Sequence, residues 1–268
     1  MLLSYNFKQI EDKDLVIPYN DRGFSYGDGL FETIIYNKQK IRFLKDHLRR
    51  LKKGMKAFGF EGANGIKKDL IKHQILSLIH NNQLTGKVKI KIQVWRRPGG
   101  LYRPNNNHFN ILISVKDEPE DFHFNALKIG FSEKVSLFYS EFSRYKTSNA
   151  LPYIVASIEK EKKGYDDLVL RNNQGYIAEC TSSNIFWVKN NDIFTPSIKS
   201  GCIAGIARKK IIQKLSKSSF NVKKVMFKKK KLLEADSIFL TNASGVRHVK
   251  SLENQSLKIF EKAEELFG

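Results

Sequence analysis

Five short segments of the chain contain most of the residues whose types and spacing could perform chemistry. They are Asp21–Thr33, His47–Leu51, Lys146–Asn149, Glu179–Asn184 and Gly205–Arg208. Together they supply a lysine amine, carboxylates, arginines, hydroxyls and glycines. An amine can act as a nucleophile and move protons, and cations with backbone N–H groups at a helix start can bind a phosphate.

The chain lacks the sequence signatures of several other kinds of catalytic and binding site. The chain has no phosphate loop, no dinucleotide-binding glycine fingerprint and no metal-ligand spacing. Its six histidines are scattered without pairing, and composition alone does not support a Ser-His-Asp triad. Cys180 and Cys202 are too few for a disulfide framework or a zinc site. We therefore expect no metal centre, and the cysteine usage favours the reducing cytoplasm.

The order and spacing of the five segments resemble the class IV aminotransferase family, the pyridoxal-phosphate (PLP) enzymes of fold type IV. That family includes branched-chain and D-amino-acid transaminases and aminodeoxychorismate lyase. The resemblance extends from Asp21 to Val249. It implies a mixed α/β fold with two domains and PLP in the cleft between them. It also implies a homodimer in which a loop from the second subunit closes the site.

Three residues match the family's principal cofactor contacts. Lys146 matches the lysine that holds the PLP aldehyde as a Schiff base and later moves protons. Glu179 matches the carboxylate that keeps the pyridine nitrogen protonated, since a nearby negative charge favours the charged form. Arg50 matches the arginine that binds the cofactor phosphate. Without the flanking motifs, each of the three would be interpreted as an ordinary surface charge.

Five further residues match secondary cofactor contacts of the family. Ile203 matches the residue that packs against the cofactor ring, although a core isoleucine would give the same pattern. Ile206 and Ala207 lie at a predicted helix start, where backbone N–H groups cradle a phosphate. Ala207 stands where many members have threonine, so one hydroxyl contact is missing. Asn242 and Ser244 fall in the family's second phosphate-side loop, which is about one residue shorter here.

The substrate side of the predicted site has to distinguish lyase from transaminase. Thr33 stands where aminodeoxychorismate lyases have a threonine near the reacting centre, and Phe31 replaces the tyrosine usual in D-amino-acid transaminases. Arg96, Tyr102 and Arg103 are candidates for the loop that meets substrate carboxylates. A mobile loop with incidental charge explains those three equally well. The lyase is favoured, and a branched-chain or D-amino-acid transaminase is the alternative.

The charge of the chain suggests a competing class of protein. With 47 Lys+Arg against 27 Asp+Glu the net charge is +20, and basic proteins bind nucleic acids by releasing phosphate counterions. The strongest local feature is the lysine-rich run 223–231. No helix-turn-helix, zinc finger or aromatic RNA-binding signature accompanies it. We therefore interpret the run as a solvated face and expect a small amino or carboxylate substrate, with no specific nucleic acid.

Strand and helix patterns alternate along the chain and predict two α/β halves. We expect an N-terminal domain at 1–118, a linker at 119–126 and a C-terminal domain at 127–268 that carries Lys146. Val88, Ile90, Ile92 and Val94 alternate with polar residues, which predicts a half-buried strand. Apolar residues at helical spacing predict helices over 44–58 and 71–79, with others at 151–163 and from 205. No apolar run is long enough for a membrane span, and the first eight residues do not resemble a signal peptide.

Overall fold

A computed structural model describes residues 1–118 and 126–267 of the chain. It confirms the predicted mixed α/β fold. The chain divides into two compact units. The first comprises Met1–Glu120 and Tyr145–Asn149, and the second comprises Asp121–Arg144 and Ala150–Gly268. The predicted linker, 119–126, lies outside the described residues except for Ala126.

A six-stranded antiparallel sheet and three helices form the first unit. The strand order is β2-β1-β6-β5-β3-β4. Its strands are β1 (Leu2–Tyr5), β2 (Lys8–Glu11), β3 (Gly29–Asn37), β4 (Lys40–Ile41), β5 (Val88–Arg96) and β6 (Phe109–Asp117). Its helices are α1 (Arg22–Tyr26), α2 (Leu44–Ala57) and α3 (Lys68–Asn81).

Alternation along β5 separates the two faces of this sheet. The even-numbered apolar residues of β5 are buried in a core shared with α2 and α3, whereas Lys91 is exposed. This confirms the half-buried strand predicted from the sequence. In α2, Leu44, Leu48 and Leu51 are buried at helical spacing. The other face of the sheet therefore carries the polar side chains of β5, such as Lys91.

A nine-stranded mixed sheet and three helices form the second unit. Eight strands follow the order β12-β11-β10-β13-β14-β7-β8-β9, and β15 pairs with β14. Its strands are β7 (Leu127–Leu137), β8 (Asp167–Asn172), β9 (Ile177–Cys180), β10 (Asn184–Lys189), β11 (Asp192–Pro196), β12 (Asn221–Val225), β13 (Ser237–Thr241), β14 (Val246–Leu252) and β15 (Gln255–Ser256). Its helices are α4 (Leu151–Lys162), α5 (Ile206–Leu215) and α6 (Lys229–Leu233).

The segment that contains Lys146 differs from the expected domain assignment. It was predicted to belong to the C-terminal domain, yet it belongs to the first unit. Its backbone is bonded to β3, since the Phe31 N–H donates to the Lys146 carbonyl and the Ser148 N–H donates to the Gly29 carbonyl, both at 2.9 Å. Local sequence could not show this pairing, because its partners are more than one hundred residues apart.

Candidate active site

Glu32 of β3 is the centre of a buried charge cluster in the first unit. Its Oε2 lies 2.7 Å from His47 Nδ1, and its Oε1 accepts a 2.7 Å hydrogen bond from Arg50 Nε. Arg50 also donates through Nη2 to Oε2, so the guanidinium binds the carboxylate through two hydrogen bonds. His47 and Arg50 lie three residues apart on α2 and face the same strand.

The electrostatics of Glu32 explain why a carboxylate is tolerated in this core. Only 1 % of the residue is exposed. Burial alone would raise the pKa of Glu32, but the charge and hydrogen bonds of Arg50 and His47 outweigh it and lower the pKa. The carboxylate is therefore ionised and holds Arg50 in one orientation. Arg50 was predicted from its motif, whereas no role was assigned to Glu32 or His47.

Lys146 lies over Phe31 on the polar face of the first sheet, the face that also carries Thr33. The Lys146 Nζ lies 4.7 Å from the centroid of the Phe31 ring. A second ammonium group, Lys91 Nζ, lies 5.3 Å from that centroid, and Lys91 pairs with Thr33 across β5 and β3. Phe31 and Thr33 project to the same face because they alternate with Glu32. Two cations thus lie over one aromatic ring beside a hydroxyl.

Lys91 is a candidate that the sequence did not reveal. It looked like one of the polar residues that alternate along β5. The register of β5 against β3 places it beside the predicted site residues. Strand pairing between 31–33 and 91–93 was the signal that could have found it.

Arg96 does not occupy the position expected for a substrate contact. Its guanidinium is buried, lies 4.3 Å from the Phe60 ring centroid, and donates to the Asp28 carboxylate and the Phe58 carbonyl. Asp28 also accepts a 2.8 Å bond from buried Arg22. We correct the prediction accordingly, because the donors of Arg96 point into the protein. Arg96 anchors the base of the loop.

Tyr102 and Arg103 lie at the exposed tip of that same loop. Tyr102 is 91 % exposed, and Arg103 is exposed as well. Arg22 donates from below to the carbonyls of Gly99 and Gly100, so the loop has a defined base. The contact of Tyr102 and Arg103 with substrate stays a prediction.

In the second unit, Glu179 forms a polar cluster with Tyr153 and the backbone of Ile203. It is buried on β9, and both of its oxygens accept hydrogen bonds. Tyr153 Oη donates to Oε1 at 2.6 Å, and the Ile203 N–H donates to Oε2 at 3.1 Å. Ile203, predicted to pack on the cofactor ring, therefore also positions the carboxylate through its backbone.

Helix α5 begins where the sequence predicts it, with Gly205 as N-cap. The first intrahelical bond runs from the Lys209 N–H to the Gly205 carbonyl, so the N–H groups of the first turn, at Ile206 and Ala207, have no intrahelical acceptor. Gly205 is required by space, because a Cβ there would lie 1.9 Å from Asn184 Oδ1. The ten-residue helix thus presents an N-terminus suited to an anion.

Asn184 connects this helix start to the other predicted phosphate-side segment. Its Nδ2 donates to the Thr241 carbonyl at 2.7 Å, while its Oδ1 lies against Gly205. Beyond Thr241, Asn242 Oδ1 accepts the Ser244 N–H at 3.0 Å and closes a tight turn. The structure therefore places the turn with Asn242 and Ser244 close to the N-terminus of α5, although the motifs are more than thirty residues apart.

The residues of both units fit PLP by their chemistry. A lysine amine can hold an aldehyde, a buried carboxylate can hold a pyridinium proton, and a helix N-terminus without intrahelical acceptors can hold a phosphate. At Gly205 the Asn184 amide occupies the place of a Cβ, so the start of α5 packs directly against Asn184. No three histidine, cysteine, aspartate or glutamate side chains among residues 1–118 and 126–267 cluster as metal ligands would. In that part of the chain no helix is both long and apolar enough to cross a membrane.

The fold matches solved structures of fold type IV. The crystal structure of the branched-chain aminotransferase from Thermoproteus uzoniensis with norvaline superposes with a TM-score of 0.91, over 99 % of this chain and 92 % of that one. The two sequences are only 17 % identical, so this likeness concerns the fold.

The sequence comparisons show the family. The profile of amino-transferase class IV matches residues 29–252, and the chain belongs to this family of PLP-dependent aminotransferases and lyases. Aminodeoxychorismate lyase of Vibrio harveyi is 25 % identical over 91 % of this chain and 90 % of that protein. D-Alanine aminotransferase of Bacillus licheniformis is 26 % identical over 96 % of this chain and 90 % of that protein. The predicted family is thus confirmed, and relatives of both activities match it.

Proposed function

We propose that the protein is a PLP-dependent 4-amino-4-deoxychorismate lyase, which forms 4-aminobenzoate and pyruvate for folate biosynthesis. The observation that carries the proposal is the pair of ammonium groups, Lys91 and Lys146, over the Phe31 ring beside Thr33. This substrate has two carboxylates, one on the ring and one on the enolpyruvyl group. A second cation near the reacting amine suits an anionic substrate better than the apolar side chain of a branched-chain amino acid.

The proposed assignment gives each residue of the site one task. PLP, when bound, supplies an acceptor for the electrons released at the substrate carbon that bears the amine. Lys146 would hold the cofactor aldehyde, and its amine, once free, would remove the ring proton. Loss of that proton and cleavage of the ring C–O bond make the ring aromatic, and the departing enolpyruvate takes up a proton to become pyruvate. Thr33 and Lys91 orient the substrate.

The proposed cofactor-binding residues are those that the family resemblance implies. The resemblance assigns the cofactor phosphate to Arg50, which Glu32 fixes, and to the N–H groups of Ile206 and Ala207. Glu179 would hold the proton on the pyridine nitrogen. Asn242 and Ser244 would line the phosphate side. None of these residues distinguishes elimination from amino transfer.

We also propose a cytoplasmic homodimer. Leu101 and Tyr102 at the loop tip are 77 % and 91 % exposed, so they are available for contact with a second copy. In the proposal, Tyr102 and Arg103 reach the site of a second copy, as the family resemblance implies. Subunit mixing between a Lys146→Ala variant and an Arg103→Gln variant tests this, because only a shared site would restore activity.

A substrate panel tests the proposed activity. The protein is incubated with PLP and 4-amino-4-deoxychorismate, and pyruvate release is followed by a coupled assay. We expect pyruvate without any added keto acid. Amino transfer to a keto acid from alanine or a branched-chain amino acid, with no pyruvate from 4-amino-4-deoxychorismate, would overturn the lyase proposal in favour of a transaminase.

Lys91 provides the variant that links the activity to the observation. Lys91→Gln should raise KM about tenfold or more and change kcat less, since a lost charged hydrogen bond is worth about 1.5–3 kcal/mol. Lys72→Gln is the matched control, because Lys72 is exposed on α3. It should leave both constants unchanged.

A further inference from the structure

The contact between Tyr153 and Glu179 is not explained by the roles assigned above. Tyr153 lies on α4 and is half-buried, and its hydroxyl reaches the carboxylate at 2.6 Å. This distance is typical of a hydrogen bond that is strengthened by the charge of the acceptor. The other carboxylate oxygen is bonded to the Ile203 N–H. Two donors from different elements therefore fix the plane of the carboxylate.

The surroundings of this pair keep the phenol a neutral donor. Burial, then the charge of Glu179 and its hydrogen bond, raise the pKa of Tyr153 far above its ordinary value. Burial and Glu179 also raise the pKa of the Cys202 thiol to about 11, and burial raises that of Cys180. Arg208 is the nearby cation, and its guanidinium is bound to Thr195 Oγ1. The groups around Glu179 thus do not exchange protons near neutral pH.

We propose that Tyr153 is a positioning residue of the cofactor site, whose hydroxyl orients Glu179 and reduces the basicity of its carboxylate. The inference rests on the proposed function, in which Glu179 holds the proton on the pyridine nitrogen. A carboxylate that already accepts a strong hydrogen bond attracts a further proton less. Tyr153 therefore sets how strongly the pyridine nitrogen is held in the charged form.

Tyr153→Phe removes the hydroxyl and keeps the ring, and two spectroscopic readouts follow its effect. We expect PLP to bind about tenfold more weakly, because Glu179 loses a donor that fixes its orientation, and this loss outweighs the gain in the basicity of its carboxylate. We also expect the pH midpoint of the visible absorbance of bound PLP to shift by at least about half a unit. Tyr165→Phe is the matched control, because no described contact joins its hydroxyl to Glu179, and both readouts should stay unchanged.

A double-mutant cycle with Glu179→Gln separates this role from packing. If Tyr153 acts through the carboxylate, Tyr153→Phe should have little effect on PLP affinity in the Glu179→Gln background. An equal loss in both backgrounds, or an unshifted midpoint, would overturn the inference. Fluorotyrosine at position 153 is a stronger donor and should move the midpoint opposite to Tyr153→Phe, which gives a test even if that variant does not fold. Failure of the unaltered protein to take up PLP would instead refute the proposed function.

Discussion

At the residue scale, the most informative feature is a carboxylate that positions a cation. Glu32 contacts both Arg50 and His47 in the core of the first unit. Breaking a buried pair is costly because it leaves the partner charge without compensation. Glu32 therefore fixes the orientation of Arg50 and also compensates its charge, which is mostly buried.

Replacing Glu32 tests this dependence. Glu32→Gln keeps the shape of the side chain and removes its charge, so we expect a loss of about 3 kcal/mol in the free energy of unfolding. Urea unfolding measures it. Arg49→Gln is the control, because Arg49 pairs with Asp46 at the surface of the same helix and should change stability by less than about 1 kcal/mol. Equal losses in the two variants would contradict the role of Glu32.

Sequence motifs could predict the residues that stand among characteristic neighbours in the sequence. Lys146, Glu179 and Arg50 were found that way, and their roles as cofactor contacts stay predictions. Tyr153 could not be found, because its partner is 26 residues away, and finding Lys91 would have required the pairing of two strands about 60 residues apart. A side chain on a helix or strand looks the same in sequence whether it meets a carboxylate or water.

At the scale of elements, the start of α5 is defined by the absence of a side chain. A Cβ on Gly205 would lie 1.9 Å from Asn184 Oδ1, and Asn184 is itself held by Thr241. Gly205→Ala should therefore displace the helix start, with a loss of about 1–3 kcal/mol in the free energy of unfolding. Titration with PLP should show weaker binding as well.

Gly86→Ala is the control for that measurement. Nothing lies within 4 Å of a Cβ at Gly86, so we expect a change of no more than about 0.5 kcal/mol. Unaltered stability in Gly205→Ala would show that the start of α5 can move freely, contrary to the close contact described.

The attachment of α4 to β7 should depend on pH. Buried Glu159 of α4 accepts hydrogen bonds from Ser132 Oγ at 2.6 Å and from the Glu133 N–H at 2.9 Å, and Lys163 Nζ lies 2.9 Å away. Burial opposes ionisation, but these partners lower the pKa of Glu159 from 4.5 to about 2. A lowered pKa stabilises the fold above pH 4.5, and the contribution disappears as the pH falls toward 2.

Urea unfolding at several pH values measures that contribution. We expect Glu159→Gln to be about 3 kcal/mol less stable than the unaltered protein at pH 7, with the difference shrinking between pH 4.5 and 2. Glu161→Gln, on the exposed side of α4, should show a small difference at every pH. A pH-independent gap for Glu159→Gln would mean that its ionisation does not matter.

The elements that the sequence predicted are those with clear periodicity. The alternation of β5, the helical spacing of α2 and the glycine that ends α4 all appear in the structure. Strand β12 was missed because its lysines indicated a solvated face, whereas it forms the sheet edge by pairing with β11. Strand β1 and the five-residue helix α1 were missed because they are too short to show a period.

At the scale of the whole molecule the net charge is +20, and part of the lysine-rich run 223–231 is paired with carboxylates. Within the run 223–231, Lys223, Lys229 and Lys231 form ion pairs with Asp192, Glu253 and Glu234. Lysines on an edge strand also discourage pairing with another sheet. The excess of positive charge can still attract an anionic substrate.

Lys146 is the residue proposed to hold PLP, and chemical trapping can identify the lysine that does so. The protein is incubated with PLP, reduced with borohydride and digested, and the modified peptide is identified by mass spectrometry. We expect a pyridoxyl group on Lys146, with visible absorbance that Lys146→Ala loses and Lys72→Gln retains. Modification of a different lysine, or no stable uptake of PLP by the unaltered protein, would contradict it.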